Sequence, residues 1–134
     1  MANALFNPGR EGFLDGTIDW DTGDIRVMLV KSTYTFDATD KFITDLGAVD
    51  NGRSAALGTK TVTDGIADAA DTSLVATAAV ACNAYIVFQH TGSDATARVI
   101  QYVDTPTSGF PVTPAAGQTV NIAFDNGATR MFKL

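Results

Sequence analysis

Few residues of this chain are of types that do covalent or metal chemistry, and their spacing decides what they can be. There is one histidine, His90, at the end of an apolar run, and one cysteine, Cys82, among Ala and Val. A single imidazole excludes a two-His metal site, and a single thiol excludes an intramolecular disulfide or a multi-Cys zinc site. A Ser–His–Asp arrangement around His90 finds no G-x-S-x-G elbow to support it. Cys82 reads as a small buried hydrophobe, because a nucleophilic thiol needs an electropositive, accessible setting. Asp19-Trp20-Asp21-Thr22-Gly23-Asp24 begins like a calcium loop, but its twelfth position is Val30, where a bidentate Glu is required. Asp64, Asp68 and Asp71 would share a face on a helix, yet they stand in strand and turn sequence and read as solvated side chains. No phosphate-cradling glycine loop, basic stripe or RNA-type aromatic motif is present. The expectation is a protein with no catalytic residue, no cofactor and no metal.

The composition fits that expectation. The 134 residues are 46% hydrophobic and 18% charged, with a formal net charge of -6. That length suits one domain that buries most of its apolar surface. The acidic balance argues against sequence-independent nucleic-acid binding, which needs a Lys/Arg surface. Of the 15 acidic residues, 14 are Asp and only Glu11 is Glu, and there are 18 Thr. Asp favours turns and Thr favours strands, so the acidity marks turns in a β-protein.

The elements follow from periodicity and turn chemistry. Asn7-Pro8 reads as an N-cap and first-turn pair of a short helix ended by Gly16, with Phe6, Phe13 and Leu14 on one side. Gly9 and Gly12 weaken that helix, which must therefore rely on packing. It would plug one end of the β-core or dock as an arm on a neighbouring subunit. Ile25–Lys31 reads as a central strand and Asp40–Leu46 as a helical turn or two. Thr59–Thr63 leads through Asp64-Gly65 into a hairpin, Ala84–Phe88 is the strongest core strand, and Arg98–Asp104 alternates. Thr105–Gly117, with three of the four prolines, reads as a loop or edge. Val120–Phe124 and Thr129–Leu134 would form a C-terminal hairpin around Asp125-Asn126-Gly127-Ala128. The whole is a single β-rich domain, 1–134, with an N-terminal helix or arm (1–16) and a β-core (17–134). The fold class is mainly β: an antiparallel β-sandwich or barrel of about eight strands with a short N-terminal helix.

The first fifteen residues lack the basic and apolar regions of a secretory signal, and the apolar run from Ala78 to Phe88 is far too short to span a bilayer. No membrane partner is expected. Loop aromatics either fold back on the core or serve as contacts, which makes Phe36 and Phe110, together with Phe6 and Phe13, the candidate partner-interface residues. Trp20, Tyr34, Tyr85 and Tyr102 could instead supply the aromatic platform of a carbohydrate-binding module.

Asn3–Leu14 (NALFNPGREGFL), Ile18–Asp21 (IDWD) and Val27–Val30 (VMLV) resemble small virion structural proteins of tailed bacteriophages. Gly58–Gly65 (GTKTVTDG) and Phe124–Leu134 (FDNGATRMFKL) are similar to the same family, so the resemblance covers nearly the whole chain. It implies a non-enzymatic virion component, foremost a capsid decoration (cement) protein that binds the major capsid protein as a homo-oligomer, with a trimer favoured. A tail- or fibre-associated subunit, or a carbohydrate- or receptor-binding β-module, is the alternative. The implied location is the virion, assembled in the host bacterial cytoplasm.

Overall fold

The computed structural model describes residues 3–106 and 110–134. Among them the chain forms ten strands, one α-helix and one 3₁₀ turn. Strand β1 (Ala4–Leu5) leads into helix α1 (Asn7–Asp15), then β2 (Ile25–Lys31), the 3₁₀ turn (Ile43–Leu46) and β3 (Asp50–Arg53). Four more strands follow: β4 (Thr61–Thr63), β5 (Ile66–Asp68), β6 (Thr72–Val75) and β7 (Cys82–Gln89). The last three are β8 (Val99–Val103), β9 (Thr119–Ile122) and β10 (Phe132–Lys133).

A five-stranded antiparallel sheet, ordered β1-β8-β7-β2-β3, forms the frame. Strands β2 and β7 pair in register from Ile25–Gln89 to Val30–Ala84. Their runs are apolar without alternation because both faces of the sheet are covered. Ile25, Val27, Leu29, Tyr85 and Val87 pack into one core, while Met28, Val30, Ala84, Ile86 and Phe88 pack into a second. Two small sheets, β10-β5-β4 and β6-β9, complete the first core. The second core is closed by Phe6, Tyr34 and the 3₁₀ turn with Ile43 and Leu46. The architecture is sandwich-like. It is not a closed barrel: among the described residues β1 and β3 end the main sheet, and no strand ladder joins β3 to β6, which pack together beside an isolated Ser54–Leu74 bridge just past the end of β3.

The helix starts one residue earlier than Asn7 capping would place it. Phe6 stands at the N-cap with no side-chain cap, and Pro8 lies in the first turn. Backbone bonds replace the missing cap: Phe6 N donates to Ile100 O (3.0 Å) and Asn7 N to Ala38 O (2.8 Å). The helix-weakening glycines form the packing face. A Cβ on Gly9 would lie 2.8 Å from Val99 O and 3.0 Å from Ile100 Cα, so only glycine lets α1 rest on β8 this closely. Leu14 does not share the buried side; it is 88% exposed. A turn of 100° per residue carries it past the face on which Gly9 and Gly12 pack.

The Asp64-Gly65 hairpin is present: Thr63 pairs with Ile66, and both turn residues have positive φ (53° and 76°), as a type I′ turn needs. The expected C-terminal hairpin is not. β9 pairs with β6, and β10 pairs with β5. Asp125 Oδ1 accepts from Gly127 N (2.9 Å), so the Asp-Asn-Gly chemistry closes a local turn without aligning its flanks. Core demand separates them. Phe124 packs edge-on to Tyr85 (6.1 Å), while Phe132 packs on Trp20 (5.2 Å) and Phe13 (5.8 Å).

Charge sits at the sheet rim. Arg53 reaches Asp94 through two bonds (2.7 and 2.9 Å) and Asp50 through one (2.8 Å), and Arg26 grips Asp24 (2.9 Å). The Arg53 and Arg26 bonds hold the Asp94 and Asp24 carboxyls below the usual carboxylate range. A depressed carboxyl contributes stability above its unfolded pKa, and that stability is lost as pH falls through the folded value. Burial of Asp40 raises its carboxyl and acts in the opposite sense. Stability in urea is therefore expected to be level near neutrality and to fall below roughly pH 4, each exposed pair contributing no more than about 1 kcal/mol. Arg53→Gln should shallow that acid decline; an unchanged decline would mean the pair does not couple to folding.

Candidate functional site

The four phenylalanines singled out as interface candidates do not gather on one surface. Phe6 has no exposed area at all, so its side chain is not available to a partner. It anchors the second core, 5.0 Å from the Phe36 ring, which lies 5.1 Å from Tyr102. Sequence gave Phe6 a position before a proline-marked helix, but not the depth created when α1 folds onto β8. Phe36 is half-buried on that same aromatic cluster. Phe13 is half-buried against Phe132 in the first core, and Phe110 is half-buried with its ring 6.0 Å from Tyr85.

Trp20, Tyr34, Tyr85 and Tyr102 do not form an exposed platform. They are 5%, 8%, 4% and 3% exposed and are divided between the two cores. Trp20 Nε1 donates to Asp68 O (3.3 Å), which fixes it as a strut between the sheets. Among the described residues, the large apolar side chains that do face solvent are Leu14 (88%), Val62 (59%), Leu134 (58%) and Val75 (55%). Only Leu14 belongs to a helix, on the side facing away from β8.

The residues considered for chemistry are scattered. His90 is half-buried, its backbone N donating to Asp24 O (2.7 Å) and its ring 6.5 Å from Phe88. Cys82 is fully buried, burial raises its thiol, and it accepts from Asn51 Nδ2 (3.2 Å). Asp64 sits in the exposed hairpin turn, Asp68 lies 3.9 Å from Arg130, and Asp71 Oδ1 accepts from Phe124 N (2.9 Å). Among the described residues, no three His, Cys, Asp or Glu side chains converge as a metal-holding group. No helix there is long and apolar enough to cross a membrane.

One concave feature was not legible as a motif. A half-open cavity of about 530 Å³ lies where β10 and the segment after β9 leave part of the first core's floor uncovered. Tyr85 on β7 and Gln101 on β8 belong to the floor, Arg10 on α1 and Lys133 on β10 to the walls, with Arg130 and Asp125 beside them. These residues come from separate elements, so no spacing rule could join them. The single local signal was Gln101, a polar residue inside a strand whose five residues are all buried. Its Nε2 donates to Met131 O (2.8 Å), tying the main sheet to the edge of β10.

Comparison with protein-family models, with curated proteins and with solved structures gives no match to this chain.

Proposed function

We propose that the chain is a non-enzymatic virion structural protein of a tailed phage, a capsid decoration protein that binds the assembled head and stabilises it. The observation that carries this reading is the resemblance running through residues 3–14, 18–21, 27–30, 58–65 and 124–134. Several features of the molecule support it. Two cores packed on the opposite faces of one sheet make a compact block, and among the described residues the large apolar side chains left exposed are few. Leu14 is the foremost of these and replaces Phe6 as the contact residue on the N-terminal segment. The proposed partner is the major capsid protein, engaged by a homotrimer.

A protein that binds assembled heads but not free capsid subunits stabilises the shell by mass action, and repeated copies add avidity. Heads made without this protein should then lose heat resistance and regain it when the purified chain is added back. Unchanged resistance, or a particle reconstruction placing the chain on the tail, would overturn the reading.

Leu14→Asp gives a finer test. Leu14 is almost fully exposed, so the substitution should change the stability of the free chain by no more than about 0.5 kcal/mol. Loss of an apolar anchor should weaken head binding about tenfold. Binding at wild-type strength would remove Leu14 from the interface.

A further inference from the structure

The cavity between β10 and the main sheet differs in charge and hydrogen bonding from the rest of this acidic molecule. Three of the nine Lys and Arg residues, Arg10, Arg130 and Lys133, line it, with Asp125 as the one lining carboxylate. The other three arginines are engaged: Arg26, Arg53 and Arg98 each face an aspartate of the chain. Arg10 and Lys133 have no ion pair or side-chain hydrogen bond among the described residues. Arg130 is only loosely held, by Asn126 Oδ1 at 3.2 Å and Asp68 at 3.9 Å.

The floor adds neutral groups. Tyr85 is 4% exposed, wedged edge-on between Phe110 and Phe124, and its hydroxyl has no hydrogen-bond partner among the described residues. Burial drives its phenol well above the ordinary value, so the hydroxyl stays protonated and offers a donor. Gln101 is 5% exposed and commits its Nε2 to Met131 O, which leaves its Oε1 as an acceptor. Tyr85 lines the cavity and its hydroxyl is not among the buried atoms left without a partner, so a ligand group in the cavity can take its hydrogen bond in place of water. The volume, about 530 Å³, falls in the range of small-ligand sites.

We infer that this cavity binds a small hydroxylated oxyanion, a sugar-sized molecule bearing one carboxylate or phosphate. The anionic group meets Arg10, Arg130 and Lys133; the two guanidinium forks with the Lys133 ammonium beside them suit a planar carboxylate or a phosphate equally. The hydroxyls meet Tyr85 and Gln101. This site is independent of capsid binding: it is formed within one chain and would stand if the virion reading fell.

The test uses the full chain, ¹⁵N-labelled, titrated with glucuronate, with glucose 6-phosphate and with neutral glucose, against sodium sulfate at matched ionic strength. Either anionic sugar should give saturable shifts at the Gln101 side-chain amide and at the Met131–Lys133 backbone amides, and glucose should not. A response to glucuronate alone assigns the carboxylate, and a response to glucose 6-phosphate alone assigns the phosphate. The exposed pair Arg10→Ala with Lys133→Ala, which leaves the core untouched, should weaken binding about tenfold or more. Tyr85→Phe, with an unchanged melting profile as its control, should weaken it about fivefold. The inference is overturned if neither anionic sugar shifts these resonances or if glucose binds as well. It is equally overturned if the charge-removing pair has no effect, or if sulfate reproduces the shifts as an adventitious ion only.

Discussion

Phe6→Ala is expected to destabilise the isolated chain by about 3–5 kcal/mol, the cost of deleting a fully buried aromatic ring. Its exposure is zero, its ring touches Phe36, and its backbone N bonds Ile100 O where β1 passes into α1. The cavity would open beneath the helix start, which has no side-chain cap to hold it. For a domain of this size the loss corresponds to a fall in Tm of about 10–20 °C. Phe6→Leu keeps most of the volume and should cost about 1–2 kcal/mol. A residue serving as an intermolecular contact behaves otherwise: its truncation leaves the free monomer unchanged and weakens only binding. Urea denaturation of the monomer separates the two. A loss below about 1 kcal/mol in Phe6→Ala would contradict the core placement.

The contrast between Phe6 and Leu14 shows where sequence reading reaches its limit. Both belong to the apolar side expected of the N-terminal helix, and both are ordinary hydrophobes in sequence. Which one is buried depends on the azimuth of α1 against β8. That azimuth is set by Gly9, whose missing side chain lets the helix approach Val99 and Ile100. The sequence showed those glycines as helix weaknesses because propensity is local, whereas close approach is a tertiary property. Ile25–Lys31 and Ala84–Phe88 were legible for the opposite reason: continuous apolar runs are required wherever a strand is buried on both faces. The Asp64-Gly65 turn was legible because two positive-φ positions admit few residue pairs.

The C-terminal segment marks a second limit. Asp125-Asn126-Gly127 has the chemistry of a hairpin turn and does form a local turn, but strand partners are chosen over long sequence separations. Val120 and Leu74 face each other across β9 and β6, and Phe132 faces Ala67 across β10 and β5. Both arrangements bury apolar surface that a local hairpin would leave outside. The cavity is a by-product of the same divergence, since it lies where β9 and β10 part. Nothing in local pattern could have assembled Arg10, Tyr85, Gln101 and Lys133. They meet only because the chain crosses itself there.

Asn51→Asp should be the most pH-sensitive substitution in the molecule. Asn51 is wholly buried in β3, and its amide ties the loop between β6 and β7 to the main sheet. Its Oδ1 accepts from Ala78 N (2.9 Å) and Thr77 Oγ1 (3.0 Å), and its Nδ2 donates to Ala78 O (3.2 Å) and Cys82 Sγ (3.2 Å). Only a group that both accepts and donates satisfies that set. An aspartate of the same shape would put a carboxylate oxygen against two acceptors and out of water, with only the more distant charge of Lys31, felt at Cys82, to offset part of the cost. The expected loss near neutral pH is about 3–5 kcal/mol. Burial and the facing acceptors would raise that carboxyl, so protonation restores a donor, and stability returns as pH falls through the raised value. This sign is opposite to that of Asp24 and Asp94, so the variant should be read as a difference from wild type at each pH. Asn51→Ala removes the bonds without adding charge, and its loss of about 2–3 kcal/mol should be nearly independent of pH. Urea denaturation of the three proteins from roughly pH 5 to pH 8 decides the matter. A difference for Asn51→Asp that stays flat across that range would show that the site is wetter, or its amide less fully engaged, than four hydrogen bonds at zero exposure require.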